Sequence, residues 1–303
     1  MPTLGTPTFD QLAIFLAVVD TGSFAGAGRK LNRAVSVISY GVANLESQLG
    51  LTLFDREGTK KPQLTVEGRA VLAEARAISA SIAGLRAKAK GLLEGLEAEV
   101  RLVVDVLYPM PRVAAILREF NVAFPTVALR LYTEALGAVL QRILDGEADI
   151  AIAGPLVSEH DDIRHVRAGS VKLIPVAAPD HPLSITAPLA PGAGRDHIQL
   201  VLTDRSPMTE GRNFGVSAHH IWRLADIGSK HALLREGIGW GNMPVHMSEG
   251  DLMAGTLKHL RMPDFEGADY ELSAIWRADC PPGPAAAWLI DRITQSSAET
   301  PAG

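Results

Sequence analysis

From Val71 onward the apolar residues fall at Val71, Ala75, Ile78, Ile82, Leu85, Ala89, Leu92 and Leu96, in steps of 4, 3, 4, 3, 4, 3 and 4. That is an a/d heptad pattern sustained over more than three repeats, the signature of a coiled-coil seam. Glu74, Arg76, Arg86, Lys88, Lys90 and Glu94 fill solvated positions between them. A stripe this narrow fits a partner helix better than the broad face a helix lays on its own domain. The seam is therefore assigned to Val71, Ala75, Ile78, Ile82, Leu85, Ala89 and Leu92, and the chain is expected to be a homo-oligomer. Gly91 and Gly95 mark the end of the helix and a hinge. The chain thus reads as residues 1–68, a linker helix over 69–97, and a larger module over 98–303.

Before the heptads, three short helices are predicted. The first starts after Thr8, buries Leu12, Phe15, Leu16 and Val19, and stops at Gly22. Ser23 caps a second, Phe24 to Leu31, and Asn32-Arg33 form the turn. In the third, Val35 to Leu49, the buried stripe is Ile38, Val42, Leu45 and Leu49, which leaves Val35, Ser36, Ser39, Tyr40 and Ala43 on the other side. Gly50 supplies its stop. Next comes a short hairpin with Arg56 at its base and Lys60-Lys61 at its tip. Cations beside an exposed helix suit a duplex, because they contact phosphates while the helix reads base edges.

Charge distribution agrees. The net charge of the whole chain is −5, but residues 1 to 95 hold 11 Lys+Arg against 8 Asp+Glu, a net of +3, and the remainder 18 against 26, a net of −8. A basic module joined to an acidic one fits a nucleic-acid partner for the first only. With 47% hydrophobic and 21% charged residues the composition is that of a globular protein. No secretory signal and no apolar run near the ~20 residues of a membrane span is visible, so no membrane association is expected. One cysteine, Cys280, excludes an intramolecular disulfide, and a cytoplasmic location is expected.

Residues 8 to 68 resemble the winged helix–turn–helix of the LysR-type transcriptional regulators. The resemblance rests on Gly22-Ser23-Phe24, Leu31, Ser39, Leu45-Glu46, Leu49-Gly50, Leu53-Phe54-Asp55-Arg56, Leu64-Thr65 and Gly68. It implies DNA binding through Ser23, Arg33, Val35, Ser36, Ser39, Tyr40, Ala43, Arg56, Lys60 and Lys61, antiparallel pairing of the linker helix, and double-stranded DNA, a small-molecule effector and RNA polymerase as partners. Members usually carry Ser-Gln-Pro at the start of the recognition helix and a basic or amide residue after the serine. Here those positions hold Ala34, Val35, Ser36 and Tyr40, so readout is expected from hydroxyls, methyl contacts and shape. Ala34 gives up an N-cap oxygen unless Ser36 caps a helix that begins later.

From Glu99 strands and helices alternate. Strands are predicted at Val100–Val106, Val127–Tyr132, Asp149–Ala153, Leu173–Ala177, Gln199–Thr203, Ile238–Asn242 and Glu271–Trp276, which makes a doubly wound α/β module. LREFNVAFPTVALRLYTE and LDGEADIAIAGP are similar to the effector-binding domain of the same family, a two-subdomain fold like the periplasmic binding proteins. Crossings are expected near His165–Gly169 and Asp264–Tyr270, giving subdomain I as about 100–166 with 268–295 and subdomain II as about 167–267. An effector would sit in the cleft at strand ends and helix N-termini. The candidates are Asp105, Tyr108, Thr133, Glu134, Asp204, Arg205, Ser206, Met208, Trp240 and Asn242, with Trp240 offering a flat apolar wall. Asp105 stands where members often have Ser or Thr. With Glu134 and Asp204 it favours a hydroxylated or cationic ligand, whereas Arg205 and the helix N-termini favour an anion; the residues leave both open.

No His/Cys/Asp cluster has metal-ligand spacing, and no nucleophile elbow, P-loop or strand-linked GxGxxG is present. No cofactor, no metal and no catalysis are expected. The reading is a regulator that acts as a dimer or tetramer on an interrupted palindrome. The alternative is a dimeric small-molecule binding protein without specific DNA recognition.

Overall fold

The computed structural model describes residues 5–55, 61–156, 160–186, 188–212 and 214–298, with side chains to residue 295. The chain divides into two units, Met1–Lys90 and Gly91–Gly303. No single helix among the described residues is long and apolar enough to cross a membrane.

The first unit packs α1 (Phe9–Thr21), α2 (Phe24–Leu31) and α3 (Val35–Leu49) against a two-strand hairpin, β1 (Phe54–Asp55) with β2 (Gln63–Leu64), and the start of α4 (Val66–Leu93). Local chemistry sets the helix ends. The Thr8 hydroxyl oxygen accepts from Gln11 N–H while the Gln11 side chain accepts from Thr8 N–H, a reciprocal cap on α1. Gly22 stops α1 and Gly50 stops α3, each in the left-handed conformation, at φ 64° and 65°. Between them lies a core of Ile14, Phe15, Val18, Ile38, Val42, Leu45, Leu53 and Phe54. Gly41, on the inner side of α3, is required there: a Cβ would come within 2.6 Å of Ile14 Cδ1.

Helix α3 begins at Val35 with Ala34 as its N-cap residue and no side-chain capping bond. The later start capped by Ser36 is not adopted. Ala34→Ser is expected to stabilise this unit by about 1 kcal/mol, read as a raised midpoint in thermal unfolding.

The seam assignment needs a correction at its N-terminal end. Ala75 is buried in the core of the first unit and so is not free to pair with a second helix, and Val71 packs partly against the same core. The first turns of α4 complete the winged-helix core before the helix leaves it. Further along, Ile78, Leu85 and Leu92, spaced by seven, are 38%, 68% and 49% exposed.

In the second unit, β3 (Glu99–Asp105), β4 (Ala128–Glu134) and β5 (Ile150–Ala153) form a parallel block, and β7 (Gln199–Leu202), β8 (Ile221–Leu224) and β9 (Trp240–Pro244) form another. Two long antiparallel strands, β6 (Ile163–Ala177) and β11 (Ala268–Arg277), join them in the order β4-β3-β5-β11-β6-β9-β7-β8. The short β10 (Lys258–His259) also pairs with β6. Alternation along β3 sends Val100, Leu102 and Val104 toward α5 (Met110–Ala123) and α10 (Pro284–Ala298), and Val103 toward α6 (Gly137–Leu144). The second block packs Ile174, Val176, Leu200 and Met243 against α8 (Ile227–Arg235) and α9 (Val245–Ala254), which follow α7 (Pro182–Ile185).

Several elements depart from expectation. β6 runs 15 residues rather than only Leu173–Ala177, so His165–Gly169 lies inside a strand. No strand is predicted at β8 or β10, and β11 spans Ala268–Arg277 rather than only Glu271–Trp276, so the end of the expected Asp264–Tyr270 crossing lies inside a strand. From Ile163↔Arg277 to Leu173↔Ala268 the pairing of β6 with β11 is interrupted only by a register shift between Leu272 and Ser273.

Candidate functional site

Two places gather candidate residues, one in each unit. On α3, Ser36, Ser39 and Ala43 are exposed, Val35 is 47% exposed and Tyr40 69% exposed. Val37, which the sequence reading passed over, joins them at 45%. The hairpin is pinned to this helix by Glu46, whose Oε1 accepts from Leu53 N–H at 2.7 Å and Phe54 N–H at 3.3 Å. Lys61 is exposed, while Arg56 and Lys60 lie outside the described residues. Two of the assigned contacts already have intramolecular partners. Ser23 caps α2 by accepting from Gly26 N–H at 2.9 Å, and the Arg33 guanidinium pairs with Asp10 at 2.6 Å, which lowers the Asp10 carboxyl below its usual range.

In the second unit a cavity of about 210 Å³ lies among Leu107, Leu136, Leu202, Phe214, Phe265 and Tyr270, beside the β6/β11 pair. Of the ten cleft candidates only Asn242 lines it. Asp105 stands one layer behind, 1% exposed. Its carboxylate accepts from Leu107 N–H at 2.9 Å, from the Tyr270 hydroxyl at 2.8 Å and from Leu136 N–H, and all three donor residues line the cavity. Burial pushes the Asp105 carboxyl up to about 6 against the pull of these donors. Burial, with Asp105 next, holds the Tyr270 hydroxyl well above its usual range, so it stays a donor. Gly154 makes room for this contact, since a Cβ there would overlap the Tyr270 hydroxyl. Leu136 takes φ 49° and ψ −124°, a strained setting for a side-chain-bearing residue, and the buried carboxylate holds its N–H in place.

The other candidates sit elsewhere. Asp204 accepts from Ala138 N–H at 2.9 Å, so it caps the first turn of α6, and the Ser206 and Thr209 hydroxyls also donate to it. Asp204, Arg205 and Ser206 border a separate, more open depression of about 490 Å³ with Arg212 and Arg223, and Met208 packs against the α6 side of the core. Thr133 is exposed on the edge strand β4, and Glu134 pairs with Arg142 at 2.7 Å. Tyr108 is buried in the core around α5 and α10. Trp240 offers no wall to this cavity. It is 1% exposed, packed with Leu183, Leu260 and Met262, and its indole N–H donates to the Gly194 carbonyl at 3.0 Å. A large aromatic whose polar atom finds an internal partner is an ordinary core residue.

Sequence comparison decides which proteins build this arrangement. Residues 9–69 match the model of the bacterial regulatory helix-turn-helix proteins of the lysR family, and residues 93–298 match the LysR substrate binding domain. The chain is a LysR-family transcriptional regulator. It is similar to the HTH-type transcriptional regulator AceR of Acinetobacter baumannii, with 30% identity over 94% of this chain and 95% of that one. The HTH-type transcriptional regulator YhaJ of Escherichia coli O157:H7 is 27% identical over 94% and 95% of the two chains. A mutant OxyR structure from Corynebacterium glutamicum shares the fold at TM-score 0.51 and 19% identity, covering 97% of this chain and 93% of that one.

Cavity residues that sequence reasoning missed in this LysR-family regulator include Tyr270, Gln199 and Lys230. Gln199 braces the wall: its Oε1 accepts from Ser217 and Ala218 N–H and its Nε2 donates to the Gly215 carbonyl. Lys230 did leave a signal. It shares the inward stripe of α8 with Ile227 and Leu234, in steps of 3 and 4, and a cation on an apolar stripe is out of place unless it is needed there. Among the described residues no group of His, Cys, Asp and Glu is placed to hold a metal ion.

Proposed function

We propose that this regulator acts in the cytoplasm as a dimer or tetramer on an interrupted palindrome and answers a small effector bound in the cavity beside β6 and β11. Residues 1–68 are the DNA-binding head, 69–97 the linker, and 98–303 the effector-binding domain, with subdomain II at about 167–267. Val35, Ser36, Ser39, Tyr40 and Ala43, joined by Val37, read the major groove. Lys61, with Arg56 and Lys60, contacts phosphates. The observation that carries this reading is the outer face of α3, whose hydroxyl and methyl groups have no core to pack against. Exposed side chains at Ile78, Leu85 and Leu92 support pairing through α4, which places two heads on two half-sites. An effector that prefers one arrangement of the two strand blocks shifts the spacing of the heads by no more than its differential affinity. RNA polymerase is the partner through which a bound head changes transcription.

Gel retardation on the DNA flanking the chain's own coding region, at several salt concentrations, tests the reading. Specific retardation that weakens steeply with salt is expected, and non-specific binding alone overturns it. Tyr40→Ala is expected to change the preferred base at one or more positions of a randomised site, by about 1–3 kcal/mol of discrimination. Unchanged base preferences would remove Tyr40 from the reading face.

A further inference from the structure

The cavity wall is apolar except at a few points, and one of these is a cation. Lys230 is 4% exposed, and its Nζ donates to the backbone carbonyl of Asn242 at 2.6 Å. No carboxylate among the described residues pairs with it. Burial alone lowers the ammonium to about 8, so at neutral pH it remains charged and keeps two further N–H bonds to give. Gly241 is shaped around it, since a Cβ there would come within 3.1 Å of Lys230 Cε. The Asn242 side chain also lines the cavity, and its Oδ1 is buried without a hydrogen-bond partner. The acidic groups nearby do not answer the lysine: Asp105 is occupied by its three donors, and Asp269 is exposed on the cavity lining.

Size narrows the occupant. A dry cavity of about 150 Å³ holds a benzene ring, and this one is about 210 Å³. It therefore takes one ring, or its branched aliphatic equivalent, with a small polar substituent. The N-terminus of α6, the other place an anion could settle, is already filled by the Asp204 carboxylate.

We propose that the effector is a small monocarboxylate with a single-ring apolar body, its carboxylate paired with Lys230 Nζ. The proposal rests on the reading of this cavity as the effector site and supplies the chemical class that the sequence leaves open. A buried ammonium without a counter-ion is costly, and a carboxylate delivered on an apolar body satisfies it while the ring displaces water from the wall.

Isothermal titration of the full chain with benzoate, salicylate and phenylacetate tests it, with benzamide and benzylammonium as neutral and cationic counterparts. Binding of at least one carboxylate is expected, with benzamide at least tenfold weaker than benzoate and benzylammonium weaker still. In Lys230→Met the carboxylate advantage over benzamide is expected to vanish, while thermal unfolding reports that the variant is folded. The proposal is overturned if benzamide matches benzoate in the wild-type chain, if Lys230→Met keeps the carboxylate preference, or if none of the three carboxylates binds at millimolar concentration. Retardation of DNA by the ligand-free wild-type chain is read separately, so failure of the regulator reading and failure of this one are distinguishable.

Discussion

At neutral pH, Lys230→Met is expected to raise the stability of the second unit, although it removes a side chain with a hydrogen bond. Burial lowers the ammonium from 10.5 to about 8, a folding cost of about 3 kcal/mol whenever both folded and unfolded chains carry the proton. Methionine fills the same space without charge but loses a charge-assisted bond to the Asn242 carbonyl, about 1.5–3 kcal/mol. The net gain is about 1 kcal/mol, or roughly 2–4 °C in the unfolding midpoint of a unit this large. The pH dependence carries the sign. Because the folded-state value is depressed, wild-type stability rises with pH between about 8 and 10.5 as the folded chain sheds the proton first. The advantage of the variant is therefore full near about pH 7 and disappears near about pH 10 in thermal melts of the two proteins. A variant less stable than wild type at neutral pH, or a difference independent of pH, would show that the ammonium is not paying a burial penalty. Retention of so unfavourable a residue next to an open cavity is what a ligand-binding role explains.

How much of this was legible beforehand depended on whether one residue's periodicity also told its neighbours' positions. The inward stripe of α3, Ile38, Val42 and Leu45, determines which residues remain outside, and Ser36, Ser39 and Tyr40 are exposed. Parallel strands such as Ile150–Ala153 are buried on both faces and read as continuous apolar runs. β6 was legible only at its apolar end, because Arg164, His165, Arg167 and Lys172 are exposed along the rest and mask the strand. The cavity was the least legible part. Strand ends pointed to Asp105, Asn242 and Asp204, yet no local pattern reveals that Asp204 caps a helix 66 residues earlier, or that Tyr270 reaches Asp105 across 165 residues. Trp240 misled because flanking glycines suggest an open approach. Here, a Cβ at Gly239 or Gly241 would crowd the backbone carbonyls of Ile198 and Leu200, so both glycines serve close strand packing.

The heptad helix yields the other large expected effect. Ile78 and Leu85 are on the solvent side of α4 once Val71 and Ala75 have been taken into the head's core. Burying each of these side chains against a partner helix contributes about 1.5–3 kcal/mol, and a symmetric pair buries both twice. Ile78→Asp combined with Leu85→Asp removes that contribution and places like charges on the same seam, so dimer dissociation is expected to strengthen by more than about ten-thousandfold. Sedimentation should then find a monomer with an intact head. Affinity for a two-half-site operator should fall at least a hundredfold, because a monomer loses the effective concentration that a joined second head supplies. Aspartate at the solvated Arg86 position, between the heptad sites, is expected to leave assembly intact. If the doubly substituted chain still sediments as a dimer, the pairing surface lies in the effector-binding unit and α4 serves only as a spacer.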